Sequence, residues 1–67
     1  MTIGQKIKRY SAARGVTQRF LANAAGISDS RISKVFKGKS ELSVIEYYGI
    51  CKALNVPLEL FLEENKK

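Results

Sequence analysis

Histidine is absent from the 67 residues, and cysteine occurs once, at Cys51. The first absence removes the commonest general base and metal ligand. The second excludes an internal disulfide and a multi-cysteine zinc site. Carboxylates are few and scattered, at Asp29, Glu41, Glu46, Glu59, Glu63 and Glu64, so no nucleophile–base pair or metal cluster can be assembled from them. No catalytic residue, metal or cofactor is therefore expected. Apolar runs extend only a few residues, which excludes a membrane span and a signal peptide and makes a reducing cytoplasm the simplest compartment. No segment sustains strand alternation, and no internal repeat or linker is found.

What remains is a small helical chain. Hydrophobic residues make up 45% of it, enough for one core over residues 1–67. A chain of this size buries only about 60% of its unfolded surface, so its stability margin is narrow. The charge is unevenly divided. Residues 1–40 carry nine cations against Asp29 alone, a net +8, whereas residues 41–67 sum to −2. Such a split predicts one half facing a polyanion and another half with a different task.

Helix signals recur along the chain. Thr2 and Gln5 form a capping box ahead of Ile3, Ile7 and Tyr10, which predicts a helix over roughly 3–14, ended by Gly15 in the left-handed region. Thr17 is an N-cap for a second helix to about Ala24, and Ala22, Ala24 and Ala25 are small enough for a neighbouring helix to come close. Gly26 suits a tight turn. Ser28 then caps a third helix, ending near Lys37 and terminated by Gly38, with Ile32, Val35 and Phe36 facing inward. Ser43 and Glu46 form a second capping box for a fourth helix to about Leu54, whose stripe of Val44, Tyr47, Tyr48, Cys51 and Leu54 should be mostly core. Pro57 opens a short fifth helix carrying Leu58, Leu60, Phe61 and Leu62. The expected fold is all-α: five short helices in one compact domain.

The stretch 17–38 carries the functional signal. It holds two short helices joined by a glycine turn, with Gln18, Ser28, Ser30, Arg31, Ser33, Lys34 and Lys37 between its apolar positions. That arrangement suits a helix-turn-helix whose second helix presents its leading residues to the DNA major groove.

Here the chain resembles the Cro/C1-type helix-turn-helix family, the lambda-repressor-like (XRE-like) domains of phage and bacterial regulators. The matching residues are Gly15-Val16-Thr17-Gln18, Leu21-Ala22, Ala25-Gly26-Ile27-Ser28, Ile32-Ser33, Gly38 and Ile50 to Val56, within a likeness that runs from Ile3 to Leu62. The resemblance implies that the third helix is the recognition helix. Asp29, Ser30, Arg31 and Lys34 would then contact bases. Thr17, Gln18, Arg19, Ser28, Lys37, Lys39 and Ser40 would contact phosphate. Arg31 and Lys34 are the candidate guanine readers, because their donors match O6 and N7. Asp29 departs from the glutamine of well-known phage members. It would read a cytosine amino group, complement the helix dipole, or orient Arg31.

A second departure concerns a buried Arg–Glu pair that many relatives carry. The equivalent positions here are Ser11 and Phe36, so Phe36 is expected to pack inward as an apolar substitute.

The carboxy-terminal apolar residues cannot all be buried by one helix face. Part of the stretch 56–67, with Leu58, Leu60 and Phe61 foremost, is expected to form a dimer contact. A homodimer could read the two half-sites of a pseudo-palindromic operator. The expected function is a sequence-specific, double-stranded-DNA-binding transcriptional regulator, most simply a repressor, located in the bacterial cytoplasm or phage-encoded and nucleoid-associated when bound. No membrane and no small-molecule ligand are expected as partners. The other reading is a protein-interaction module, such as an antitoxin or adaptor, built on the same fold. Cys51 is read as a small core residue.

Overall fold

The computed structural model describes residues 2–62. The chain forms α1 (Ile3–Ala13), α2 (Gln18–Ala25), α3 (Asp29–Phe36) and α4 (Val44–Leu54), followed by a single 3₁₀ turn, Leu58–Phe61. No strand occurs among the described residues. Each helix begins at a hydroxyl residue whose side chain accepts an otherwise unpaired N–H: Thr2, Thr17, Ser28 and Ser43. Such a cap is worth about 1 kcal/mol over alanine, a large share for helices of only 8 or 11 residues. Both capping boxes form, Thr2 with Gln5 and Ser43 with Glu46. Gly26 closes α2 at φ 74° in the left-handed region, as the tight turn into α3 requires.

The core is one cluster: Ile7, Leu21, Ala22, Ile32, Val35, Phe36, Ile50, Cys51 and Phe61, with Tyr10, Val16, Tyr47, Leu54 and others packed at its edge. α2 lies against both α3 and α4, and α1 against α3. Phe36 and Ser11 are both buried, and the Ser11 hydroxyl donates to the Lys8 carbonyl at 3.1 Å. The α1–α3 junction is thus apolar, with its one buried hydroxyl satisfied. Phe36 packs inward as expected.

Three expectations need correction. The fifth helix is a 3₁₀ turn of four residues. Two of its carbonyls are taken by other elements: the Tyr47 hydroxyl donates to Leu58 O, and Lys6 Nζ donates to Phe61 O at 3.2 Å. With Leu58 O spent on α4 and Pro57 lacking an N–H, the i→i+3 bonds Leu60 N to Pro57 O and Leu62 N to Glu59 O remain.

Phe61, assigned to a dimer contact, is instead only 4% exposed. Its ring sits edge-on between Tyr10 and Tyr47, with centroids 5.5 and 6.4 Å away. Leu58, Leu60 and Leu62 are the ones left outside. Residues 63–67 of the expected dimer stretch lie outside the described residues.

The α4 stripe is also shifted. Tyr47, Ile50, Cys51 and Leu54 face the core, while Tyr48 is exposed and Val44 is 83% exposed. The contact between Gly49 and Ala24 sets this rotation, because α4 meets α2 there.

Candidate nucleic-acid interface

The helix-turn-helix is α2, the turn at Gly26 and α3. Its inward faces are Leu21, Ala22, Ile32, Val35 and Phe36, which leaves the intervening polar residues on the surface. Asp29, Ser30 and Lys34 are on the outer side of α3 and all three are exposed; Thr17, Gln18 and Arg19 are exposed at the start of α2. Lys37 and Lys39 are exposed just past α3, with Ser40 half-buried beside them. These residues therefore occupy the start of α2, the outer face of α3 and the connection that follows it.

The two capping hydroxyls keep a donor to offer. Thr17 Oγ1 accepts from Phe20 N and Ser28 Oγ accepts from Arg31 N, both at 3.1 Å. Each oxygen is used as an acceptor, so each O–H remains available to an anion.

Asp29 faces Arg19, with Nε to Oδ2 at 3.8 Å and side chains 80% (Arg19) and 56% (Asp29) exposed. Its partner across the turn is thus Arg19 and not Arg31, whose orientation was one of three roles the sequence left open for Asp29. An ion pair this open is worth at most about 1 kcal/mol and leaves both side chains free to rearrange. Asp29 also lies in the first turn of α3, where a carboxylate complements the helix dipole.

Arg31, expected at a base edge, is turned toward α4. Its Nη1 lies 2.6 Å from Glu46 Oε2, and its Nη2 donates to the Glu41 carbonyl at 2.8 Å. The sequence reading missed this because Arg31 and Glu46 are 15 positions apart and no local period relates them. Glu46 had a sufficient local role as the capping-box partner of Ser43.

The Glu46 carboxyl is held below its ordinary value of 4.5, first by the backbone N–H of Ser43 and next by the Arg31 guanidinium. A carboxylate stabilised only in the folded chain adds stability above about pH 4.5, and that contribution disappears as pH falls through the lowered value. The wild-type melting temperature should therefore fall more steeply than that of Glu46→Gln between roughly pH 5 and pH 3. Parallel melting curves would show that Glu46 gains nothing from these partners.

Other cations have structural work. Arg14 stacks on the Tyr10 ring at 3.7 Å. Burial raises the titration of both Tyr47 and Cys51, so Cys51 is a buried thiol and a core residue as expected. Among the described residues no group of His, Cys, Asp or Glu could hold a metal ion. No described helix is long and apolar enough to cross a membrane.

Residues 7–61 match the helix-turn-helix family, and the chain belongs to it. It is 32% identical over 62 residues to a transcriptional regulator from the ATPase CF(0) region of Rhodospirillum rubrum. That match covers 92% of this chain and 57% of the relative, so the chain spans little over half of that protein's length. Among solved structures it is similar to SinR of Bacillus subtilis, the master regulator for biofilm formation, in complex with DNA. The TM-score is 0.78 at 27% identity, over 91% of this chain and 98% of that one. The restriction-modification controller protein C.AhdI from Aeromonas hydrophila shares the fold, with a TM-score of 0.78 at 24% identity, over 88% of this chain and 89% of that one.

Proposed function

We propose that this chain is a sequence-specific transcriptional regulator that binds double-stranded operator DNA as a homodimer, most simply as a repressor. The observation that carries this reading is the polar and basic outer face of α3 together with the capped N-termini of α2 and α3. Ser30 and Lys34, with Asp29 beside them, meet base edges. Thr17, Gln18, Arg19, Ser28, Lys37, Lys39 and Ser40 meet phosphates. The concentration of cations in residues 1–40 and the likeness to a regulator solved on DNA support it.

The homodimer rests on the apolar residues left outside the core. Leu58, Leu60 and Leu62 are exposed on the terminal turn, and Leu58 shares a shallow groove with Tyr48, Lys52 and Pro57. A second copy seated there would cover them and align two recognition helices about one DNA turn apart. Sedimentation showing a monomer both free and on full-length operator would overturn the dimer.

Selection of bound sequences from random DNA should return a short half-site in inverted repeat. Affinity for that operator should fall by about a thousandfold or more between 50 and 200 mM salt, as about six or more phosphate contacts per dimer require. Lys37→Ala should weaken all sequences alike and flatten the salt slope by about 1 for each phosphate that Lys37 engages. Affinity that ignores salt would favour a protein-interaction module instead. That reading draws on Val44 and Ile45, which are 83% and 81% exposed.

A further inference from the structure

We propose that Arg31 is a positioning residue that locks the α3–α4 connection to the recognition helix, and that it does not read a base. This rests on the DNA-binding reading above. Arg31 lies in the first turn of α3, on the helix assigned to the major groove. Its guanidinium nonetheless spends two nitrogens on the segment that follows, Nη2 on the Glu41 carbonyl and Nη1 on Glu46 Oε2.

Glu46 is held from its other side as well. Its Oε1 accepts from Ser43 N at 2.9 Å, while its own N–H donates to Ser43 Oγ at 3.2 Å. One carboxylate thus joins the cap of α4 to a side chain of α3. The guanidinium fork spans both ends of the segment 41–46, a geometry that a single ammonium cannot reproduce. This pair is much less exposed than the Arg19–Asp29 pair: the Arg31 side chain is 38% exposed and that of Glu46 is 17%.

The connection between α3 and α4 carries Lys37, Lys39 and Ser40, assigned above to phosphate. Fastening residues 41–46 to α3 fixes those groups relative to Ser30 and Lys34. Base readers and phosphate contacts then approach DNA as one preformed surface, which reduces the ordering cost on binding. The pair also neutralises Glu46, whose charge would otherwise stand uncompensated beside a polyanion.

Arg31→Ala, Arg31→Lys, Glu46→Gln and the double variant Arg31→Ala/Glu46→Gln test this. Glutamine at position 46 keeps the capping box, so α4 retains its start. Each variant is first checked by circular dichroism to be folded at the working temperature. Hydrogen exchange in the free protein should show the amides of residues 37–43 opening faster in Arg31→Ala than in wild type. On DNA, Arg31→Ala and Glu46→Gln should each lose about tenfold in affinity. The loss should be equal on every selected sequence, with the base preferences unchanged. The double variant should lose no more than the worse single one, and Arg31→Lys should recover only part.

A base-reading Arg31 gives a different pattern. Glu46→Gln would then free the guanidinium and keep or raise affinity, and Arg31→Ala would flatten the preference at one base pair. That pattern, or unchanged exchange over 37–43, overturns the proposal. If wild type binds no DNA in a salt-dependent way, the functional reading fails, and the exchange measurement still decides whether Arg31 holds the connection.

Discussion

Gly49→Ala is expected to lower the melting temperature by about 10–20 °C, a loss near 2–3 kcal/mol in a domain of this size. The reason is the contact between α2 and α4. A Cβ built at Gly49 would stand 2.4 Å from the Ala24 carbonyl oxygen and 3.3 Å from its carbon. Both are backbone atoms within a helix, so no side-chain rotation relieves the overlap, and the two helices must separate. Elsewhere in a helix interior, alanine is better than glycine by roughly 0.5–1 kcal/mol. The sign at position 49 is reversed because close approach outweighs helix propensity. Ile50 and Cys51, next along α4, are buried, so separation would also loosen their packing against α2. Thermal unfolding by circular dichroism measures the effect. A melting temperature equal to or above wild type would mean that α2 and α4 are not in backbone contact.

Phe61→Ala should be at least as damaging, costing about 3–5 kcal/mol. Total stability for a domain of this length is only about 3–10 kcal/mol, so the variant should lose a large share of its stability margin. The ring is the last large side chain entering the core, and it meets Tyr10 from α1 and Tyr47 from α4 edge to face. Its removal leaves a cavity between two aromatic rings. It also releases the terminal turn, whose Phe61 carbonyl is held by Lys6. A residue acting only at a dimer contact behaves differently: its removal lowers stability at high protein concentration and leaves the dilute chain unchanged. Denaturant titration at two concentrations a hundredfold apart separates the cases. The core role predicts the same loss at both.

These two residues mark where local pattern stopped being informative. Helix starts could be read directly, because a hydroxyl cap satisfies an N–H three residues away and the whole device lies in four consecutive positions. Thr2, Thr17, Ser28 and Ser43 all cap as expected. The glycine turn at Gly26 and the inward face of α3 at Ile32, Val35 and Phe36 were legible from equally short-range patterns, whereas the pairing of Phe36 with Ser11 came from the family resemblance. The all-α class and the helix-turn-helix follow from such short-range signals.

Periodicity was a weaker guide on α4, where apolar residues surround the helix. Val44 and Tyr48 looked equivalent to Tyr47 and Cys51 until Gly49 met Ala24 and fixed which side faced inward. The same holds at the carboxy terminus. Leu58, Leu60, Phe61 and Leu62 are interchangeable as a composition, yet only Phe61 enters the core, because α1 and α4 leave a space between two tyrosine rings.

The candidate interface divides along this line too. By itself, the sequence determined which residue types lie between the apolar positions of α2 and α3, and so that a basic, hydroxyl-rich face would be exposed. Only the tertiary structure decided their partners. It turned Asp29 to Arg19 and Arg31 to Glu46, because ion pairs across helices depend on where two helices end in space. Spacing along the chain carries no record of that.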